Sequence, residues 1–246
     1  FPMPMTGKVV SIFREFGVAG GMLYLANRAL QAVSPQVGLY AYEFMAQPIP
    51  CKPIAPPHLV KSFTFRLIPK GHPDIARMPA RADIKESRFE QGAVCLGTYR
   101  GDELVGYIWL CFDRYREDEA RCDYHLADPA RSVFDFDLYI LPKYRMGLGF
   151  MAVWHGANQY LRERGITYTF SRLTRLNIAS KRSHAHLKWR RIGQALILKA
   201  WSAELMIFSI APYMAMSFSP PRRIALRLGP IDSRKEHAND TEERPS

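Results

Sequence analysis

The chain has 246 residues but only four cysteines, and no two of them stand in a CxxC spacing. This low density argues against a disulfide-stapled secreted domain and favours a reducing cytoplasm. The sequence also lacks a signal peptide, an apolar run long enough to cross a bilayer, internal repeats and low-complexity tracts. We therefore predict a cytoplasmic protein, and nothing in the sequence indicates a metal site.

Acidic residues are scarce, since 23 Asp and Glu face 34 Lys and Arg, which leaves a formal net charge of +11. Such an excess attracts the phosphate groups of cofactors, nucleic acid or anionic lipid. The basic residues concentrate in two groups, which are Arg172, Arg175, Lys181, Arg182, Lys188, Arg190 and Arg191, and Arg222, Arg223 and Arg227. A solvated basic face without a dedicated partner explains these groups equally well.

A glycine-containing turn stands between a strand pattern and a helix pattern. From Asp135 to Ile140 polar and apolar residues alternate, which predicts a strand. From Phe150 to Arg164 apolar residues recur at helical spacing. The turn between them consists of Tyr144, Arg145, Met146, Gly147, Leu148 and Gly149. Several backbone N–H groups are unpaired where a helix begins, and glycines let a ligand approach them, so this turn suits a pyrophosphate.

A second strand and a second helix follow this turn. Gly165 would end the first helix, and residues Ile166 to Thr174 then predict a strand. Asn177 opens another helix, which we expect to reach Trp189.

This order of elements resembles the GNAT superfamily, the GCN5-related N-acetyltransferases, over residues 133 to 200. The family's phosphate turn reads Arg/Gln-x-x-Gly-x-Gly/Ala. Here Gly147 and Gly149 match its end, Tyr144 stands where Arg is expected, and Arg145 follows one place late. The family's Asn-x-x-Ala signature is followed after three residues by Tyr.

Counted from Asn177, the small residue of that signature is Ser180 and the Tyr position is His184. Lys188 stands where the family usually has Gly, in Leu187-Lys188-Trp189.

The resemblance implies an α/β (α+β) fold with a mixed, mostly antiparallel sheet flanked by helices. It also implies transfer of an acyl group from acyl-CoA, with an acetyl or longer chain, or from an acyl carrier protein. The acceptor would be an amine on a small molecule or sugar. A role in envelope or polysaccharide metabolism is only an association that comes with the resemblance. The donor-binding residues would be Tyr144, Arg145, Met146, Gly147, Leu148, Gly149, Phe150, Asn177 and Ser180.

Three side chains are candidates for proton transfer. Asp135 and Asp137 would share one face of the strand, where a carboxylate could take a proton from an ammonium and where their proximity would raise one pKa. Asp137 is the first choice, although a hydrogen-bonding role without proton transfer would also account for the pair. His184 would protonate the departing thiolate, as the family's Tyr does, unless it is an ordinary helix histidine. Five further residues could line the acceptor side, although each could also be an ordinary solvated residue: Arg88, Gln91, Glu117, Asp118 and Glu119.

The remaining chain is divided by composition into three parts. Residues 1–58 would be an apolar helix over Val9 to Val33, broken near Gly17, and a proline-rich linker. Residues 59–231 would be the acyltransferase domain, and the polar residues 232–246 a disordered tail. The apolar helix would pack on its own domain, on a partner or on a membrane surface.

Within the predicted domain, further elements follow from local patterns. These are a strand at 63–67, a short helix at 83–91, a hairpin of 93–99 with 104–112, a strand at 122–126, and closing strands at 192–201 and 204–210. The alternative to an enzyme is a GNAT-fold protein without chemistry that binds anionic lipid or RNA through its basic face. The altered turn and the missing Tyr favour that alternative, whereas the spacing of Asn177, Ser180 and His184 opposes it.

Overall fold

The computed structural model describes residues 5–145, 147–184, 187–218 and 222–229. Its helices are α1 (Met5–Val33), α2 (Pro57–Val60), α3 (Pro73–Arg77), α4 (Ala82–Glu90), α5 (Gly149–Arg162) and α6 (Ile178–His184). Its strands are β1 (Val37–Pro48), β2 (Thr64–Ile68), β3 (Val94–Arg100), β4 (Glu103–Cys111), β5 (Arg114–Arg116), β6 (Cys122–Leu126), β7 (Ser132–Ile140), β8 (Tyr168–Thr174), β9 (Arg190–Ala200), β10 (Ala203–Phe208), β11 (Met214–Ser217) and β12 (Ile224–Leu228). Within these residues, no helix has both the length and the apolar character needed to cross a membrane.

Nine strands form the main sheet, in the order β11-β10-β9-β1-β8-β7-β4-β3-β2. Every neighbouring pair in it is antiparallel except β7 with β8, which is parallel. A small second sheet has the order β12-β6-β5. The predicted fold class, a mixed and mostly antiparallel sheet flanked by helices, is confirmed.

Strand β1 is the main departure from the sequence prediction. It pairs with β8 on one side and β9 on the other, so it lies inside the sheet. Most of its side chains are buried, as in a strand covered on both faces, and such strands show little polar alternation. The boundary placed at residue 58 is therefore not a boundary of the sheet, because residues 37–48 belong to it.

The two faces of the sheet have separate cores. On one face α5 packs with Trp154 and Leu161 against strand residues that include Ile108 and Leu110. On the other face the small sheet and α4 cover an aromatic core, in which the ring of Phe89 meets that of Trp109 edge-on at 5.0 Å. Each face therefore presents its own set of side chains to any site at the centre of the sheet.

The other predicted elements agree with the structure except near the ends. The hairpin becomes β3 and β4, and the short polar helix becomes α4. Helix α1 is broken at Gly17, as expected, where φ is 69° and ψ is 176°. Helix α6 ends at His184, so Trp189 lies beyond it. The tail at 232–246 lies outside the described residues.

Helix α1 contacts the sheet at β1, where Oδ1 of Asn27 accepts a hydrogen bond of 2.8 Å from the backbone N–H of Leu39. Several of its apolar side chains stay exposed, including Val18 and Met22. This contact agrees with packing on its own domain, and contact of the exposed side with a partner or membrane surface stays a prediction.

Candidate active site

The parallel strands β7 and β8 separate at the centre of the sheet. Their pairing runs from Ser132 with Tyr168 to Asp135 with Ser171, and in the described part of the chain it does not continue further. Beyond that point β7 follows β4 to Ile140, and β8 follows β1 to Thr174. The separation leaves a gap in the pairing of β7 with β8, and residues 136–139 of β7 beside it are only partly buried.

A β-bulge lies in β7 beside this gap. Trp109 of β4 pairs with Phe136 and Tyr107 pairs with Tyr139, so two residues of β7 oppose one of β4. The bulge includes Asp137, whose φ is 47°, an unusual value for a residue other than glycine. A bulge of this kind redirects the side chains that follow it.

The bulge places Asp135 and Asp137 on opposite faces, so the prediction that they share one face is wrong. Asp135 pairs with Leu110, which belongs to the core under α5. Asp137 instead contacts Arg88, whose guanidinium lies over the ring of Phe136 on the other face. In a regular strand the side chains of Asp135 and Asp137 would point to the same face of the sheet. The extra residue of the bulge turns Asp137 to the other face.

Asp135 is a buried carboxyl that has no ion-pair partner among the described residues. It is only 4% exposed, and among the described residues nothing hydrogen-bonds its Oδ1. Burial raises the pKa of this carboxyl from 3.8 to about 7, because the charged form loses its hydration. At neutral pH the group is divided between its acid and base forms, which suits it to proton transfer.

Asp137 is held by a charge network on the opposite face. Arg88 donates from Nη1 to Oδ2 of Asp137 at 2.5 Å and from Nη2 to Oδ2 of Asp118 at 2.9 Å. Burial raises the pKa of Asp137, and the positive charge of Arg88 opposes that rise. The side chain of Asp137 is 30% exposed, so a ligand can reach a carboxylate whose orientation is already fixed.

Helix α5 begins at the edge of the same gap. In the part of the chain that the structure describes, no side chain caps its first turn, which also contains no acidic residue. The unpaired N–H groups and the helix dipole therefore suit an anionic group. Leu148 is exposed here, and Met146 lies outside the described residues.

The two glycines of the turn have different roles. A Cβ on Gly147 would meet none of the described atoms within 4 Å, so this position has open space in front of it. A Cβ on Gly149 would lie 2.7 Å from the carbonyl oxygen of Tyr144 and 2.9 Å from Ile140. Gly149 is thus required by the packing of the turn, while Gly147 borders the space that a ligand would enter.

The two residues before Met146 are fixed by the protein itself. The hydroxyl of Tyr144 donates to Glu103 at 2.8 Å. Arg145 donates from Nε to the carbonyl oxygen of Ile140 at 2.9 Å, and its guanidinium lies 5.2 Å from the ring centre of Tyr139. Their predicted contacts with the donor stay predictions.

Helix α6 places the Asn177 motif next to α5. Oδ1 of Asn177 accepts a hydrogen bond of 3.0 Å from the N–H of Ser180, so this side chain caps the helix. His184, only 5% exposed, lies among aromatic rings, with ring centroids at 5.3 Å from Phe150 and 5.7 Å from Trp154. The cap explains the position of Asn177 without any ligand.

The environment of His184 favours its neutral form. Burial lowers its pKa, and the hydrogen bond to the backbone of Ser180 opposes this only in part. Nδ1 lies 2.7 Å from the carbonyl oxygen of Ser180, which can only accept, so Nδ1 carries the hydrogen. In the neutral ring Nε2 is then an acceptor, and an acid role for His184 would require a proton that burial disfavours.

Two cavities lie on opposite faces of the sheet. One, of about 570 Å³, is lined by Tyr107 and Tyr139 together with Asp74, Asp102 and Glu103. It lies next to Asp137, whose charge contributes, after burial, to the raised pKa of Tyr107. The other, of about 640 Å³, lies beside α5.

The other residues predicted for the acceptor side bind partners other than Arg88 and Asp137. Glu117 and Glu119 bind Arg172 at 2.8 Å and 3.0 Å, and Oε1 of Gln91 accepts from the N–H of Arg116. On β1, Glu43 binds Lys181 at 2.6 Å and Arg191 at 3.7 Å. Several members of the basic group are thus already paired, which gives no support to the alternative of a free basic binding face.

Three features were not predicted from the sequence: the bulge in β7, the position of β1 inside the sheet, and the cavity beside α5. A signal for the last was present in α5. Asn158 stands within the apolar stripe that includes Trp154 and Leu161, and it is fully buried. An amide in such a stripe indicates either a structural hydrogen bond or a ligand.

No family model matches the chain, and no curated protein matches it. Solved structures with some likeness include a Drosophila protein, with 17% identity over 72% of this chain and 57% of that one and a TM-score of 0.45. A tandem GNAT protein from the clavulanic acid biosynthesis pathway has 12% identity over 70% of this chain and 57% of that one, with a TM-score of 0.44. A putative GNAT-family acetyltransferase from Novosphingobium aromaticivorans has 12% identity over 66% and 65%, with a TM-score of 0.45.

Two of these three are GNAT proteins, the superfamily that the sequence resembles. The chain spans less than two thirds of the length of each of the three. TM-scores below 0.5 describe only a partial overlap, so the assignment of the site rests on the geometry of the chain itself.

Proposed function

We propose that the protein transfers an acyl group from a thioester, acyl-CoA or an acyl carrier protein, to an amine. The observation that carries this proposal is the separation of β7 from β8, with the start of α5, which no described side chain caps, on one face of the sheet and the fixed carboxylate of Asp137 on the other. Acyl transfer needs two reactants to meet at one carbon atom. In this proposal the two reactants would meet at the gap from opposite faces of the sheet.

The donor would bind on the α5 face. Its phosphate groups would meet the free N–H groups at the start of α5, with the open space at Gly147 admitting them. The thioester would then lie in the gap next to Phe136, where the side of β7 that faces β8 has no strand partner among the described residues. A backbone N–H on such an edge can polarise the thioester carbonyl.

The acceptor would bind on the face of Asp137. The cavity on that face is lined by two tyrosine rings, by Asp74, Asp102 and Glu103, and by Arg77. Asp74 pairs with Arg77 and Glu103 with Lys143, so Asp102 and the nearby Asp137 would be the carboxylates that attract a cationic amine. Asp137, oriented by Arg88, would accept the proton that the ammonium must lose before it attacks. The role is the one predicted for Asp137 from sequence.

The leaving thiolate needs a proton on the donor face. The sequence prediction gave this role to His184, but burial lowers the pKa of its ring, which therefore stays neutral at pH values where an exposed histidine is already partly protonated. Asp135 lies on the same face, and its pKa of about 7 leaves a large protonated fraction at neutral pH. We therefore assign the proton to Asp135 first and to His184 second.

The proposal is tested by incubating the protein with acetyl-CoA and longer acyl-CoA esters, with and without a set of small amines and amino sugars, and measuring release of the free thiol. We expect release that depends on the amine and is lost in Asp137→Asn. If the esters bind but no amine accelerates release beyond hydrolysis, the protein is a thioester-binding protein rather than a transferase. If none of the esters binds, the donor assignment is wrong.

A further inference from the structure

The cavity beside α5 contains two buried amide side chains that lack partners. Asn158 is fully buried, and within the described chain neither its Oδ1 nor its Nδ2 has a hydrogen-bond partner. Gln47 of β1 is 4% exposed, and its Nε2 is likewise unpaired among the described residues. Both residues line the same cavity of about 640 Å³. Because unpaired buried amides destabilise a fold, their presence in one cavity indicates a ligand that supplies hydrogen bonds when it binds.

The unpaired atoms specify the kind of polar group that would satisfy them. Nδ2 of Asn158 and Nε2 of Gln47 are donors, whereas Oδ1 of Asn158 is an acceptor. A carboxylate has no hydrogen to donate and an ammonium has no lone pair to accept with, so each would leave part of this set unpaired. A carboxamide does both, since its carbonyl oxygen can accept from the two NH₂ groups while its own N–H donates to Oδ1 of Asn158.

The rest of the lining is mostly apolar. It includes Ile49 and Ile54 on the side of β1, and Phe150 and Leu187 on the side of the helices. Lys188 is the only charged side chain among the described lining residues, and it is exposed, so water solvates its charge. An occupant must therefore have an apolar body and an uncharged polar group, because a charge buried without a partner is costly.

This cavity is separate from the gap between β7 and β8. Its described lining residues come from β1 and the segment after it, from α5 and from the segment after α6, and none belongs to β7 or β8. It approaches the proposed donor site only in the first turn of α5, at Phe150 and Met151. A molecule in the cavity would therefore lie beside a bound donor and not in its place.

We propose that this cavity is a second small-molecule site, which binds an uncharged molecule with a largely apolar body and a carboxamide group. Its volume is within the usual range of small-molecule sites, and its few polar groups in apolar walls are typical of such sites. The proposal does not rest on the proposed function, because it uses neither the gap nor the carboxylates beside it.

The test compares four probes that share a naphthalene ring and differ in their polar group: naphthylacetamide, naphthylacetate, naphthylethanol and naphthylethylamine. Calorimetry gives their affinities for the full chain. We expect naphthylacetamide to bind with a Kd below about 1 mM. We expect the carboxylate and the ammonium to bind at least about tenfold more weakly, since each would lose the hydration of its charge. The alcohol should lie between them and the amide.

The thiol of Cys51 reports where the probe binds. Cys51 is exposed and lines the cavity, whereas Cys95, Cys111 and Cys122 are buried. Saturating naphthylacetamide should slow the reaction of Cys51 with an aromatic disulfide reagent by at least about threefold, because the thiol loses its access to solvent. Naphthylethylamine at the same concentration should not.

The decisive variant is Asn158→Leu, with Thr98→Val as its matched control. Thr98 is 1% exposed and its Oγ1 is also unpaired within the described chain, but it is not among the described residues that line this cavity. Both changes remove a buried polar group that has no partner, so both should raise the melting temperature. Only Asn158→Leu should weaken the binding of naphthylacetamide, by about tenfold or more.

A second variant keeps the test decisive if Asn158→Leu fails to fold. Gln47→Leu removes one donor and should weaken the binding of naphthylacetamide by about threefold to tenfold. Binding of naphthylacetamide to both variants with the affinity of the parent would show that the amides do not contact it.

Three further results would overturn the proposal. Failure of naphthylacetamide to bind or to protect Cys51 would mean that the cavity does not take such a molecule. Tighter binding of naphthylacetate, weakened by salt, would show that Lys188 attracts an anion and that the buried amides are not used. Strict competition between naphthylacetamide and CoA would make the cavity part of the donor site. None of these results would remove the proposed function, which is tested by amine-dependent release of the thiol.

Discussion

Asp135 and Asp137 are two residues apart on one strand, yet their environments differ in every respect that matters for chemistry. Asp135 is buried on the face of α5, no described residue gives it a charged partner, and burial raises its pKa to about 7. Asp137 is fixed by Arg88 on the opposite face and is partly exposed. The comparison shows how one extra residue in a strand can turn a pair of like carboxylates into two separate groups with separate tasks.

The largest expected effect is on the acceptor face. Asp137→Asn removes the proton acceptor, so we expect turnover with an amine to fall by about 10² to 10⁴. Asp118→Asn is the matched control, because Asp118 binds the same Arg88. The control should lose much less activity. Equal losses in the two variants would mean that the network serves only to hold Arg88.

On the other face, Asp135→Asn should change both activity and stability. Because the folded-state pKa lies above that of an unfolded chain, the free energy of unfolding of the parent should fall as pH rises from about 4 to about 7 and then level off. The variant should lack this decline and be more stable at pH 8, by about 4 kcal/mol at most.

Denaturant unfolding between pH 4 and pH 8 measures this difference. Turnover of the same variant should fall by about 10² if Asp135 supplies the thiolate proton. A variant whose stability changes with pH as steeply as that of the parent would show that Asp135 is not the buried titrating group.

Substitutions of the two glycines in the turn test where the donor binds. Gly147→Val places a side chain in the open space where a phosphate would lie, so affinity for acetyl-CoA should fall by about 10- to 100-fold with unchanged stability. Gly149→Ala forces a Cβ against the backbone of Tyr144 and should lower the free energy of unfolding by about 1–3 kcal/mol.

Calorimetric titration together with thermal unfolding separates the two glycine variants. A Gly147→Val protein that keeps the affinity of the parent would place the phosphates elsewhere. A Gly149→Ala protein as stable as the parent would show that the packing of the turn does not require this glycine.

The smallest expected effect is at His184. If Asp135 provides the proton, His184→Phe should keep the aromatic packing around position 184 and lower turnover by less than about tenfold. Turnover measured from pH 6 to pH 9 tests this. A loss of about 10² or more at the low end of this range that disappears at high pH, where the histidine of the parent is also unprotonated, would restore His184 as the acid, as the sequence predicted.

Local patterns were enough to predict much of the fold. The hairpin of β3 and β4, helix α5 and the strand around Asp135 follow from turn residues and apolar periodicity, which act over a few neighbouring residues. The cap at Asn177 follows in the same way, since it depends on a residue three places along the chain.

The features that sequence did not predict depend on distant partners. Strand β1 is defined by β8 and β9, which lie more than a hundred residues away. The bulge at Asp137 exists only relative to the register of β4, so period-two alternation placed this side chain on the wrong face. The pKa of Asp135 likewise arises from tertiary burial.

A crystal structure of the protein with CoA tests the central claim most directly. The account predicts phosphates at the first turn of α5 beside Gly147, and the sulfur in the gap between β7 and β8, with Asp135 on its own face and Asp137 on the other. A CoA molecule bound outside the gap, with its sulfur remote from both carboxylates, would contradict it.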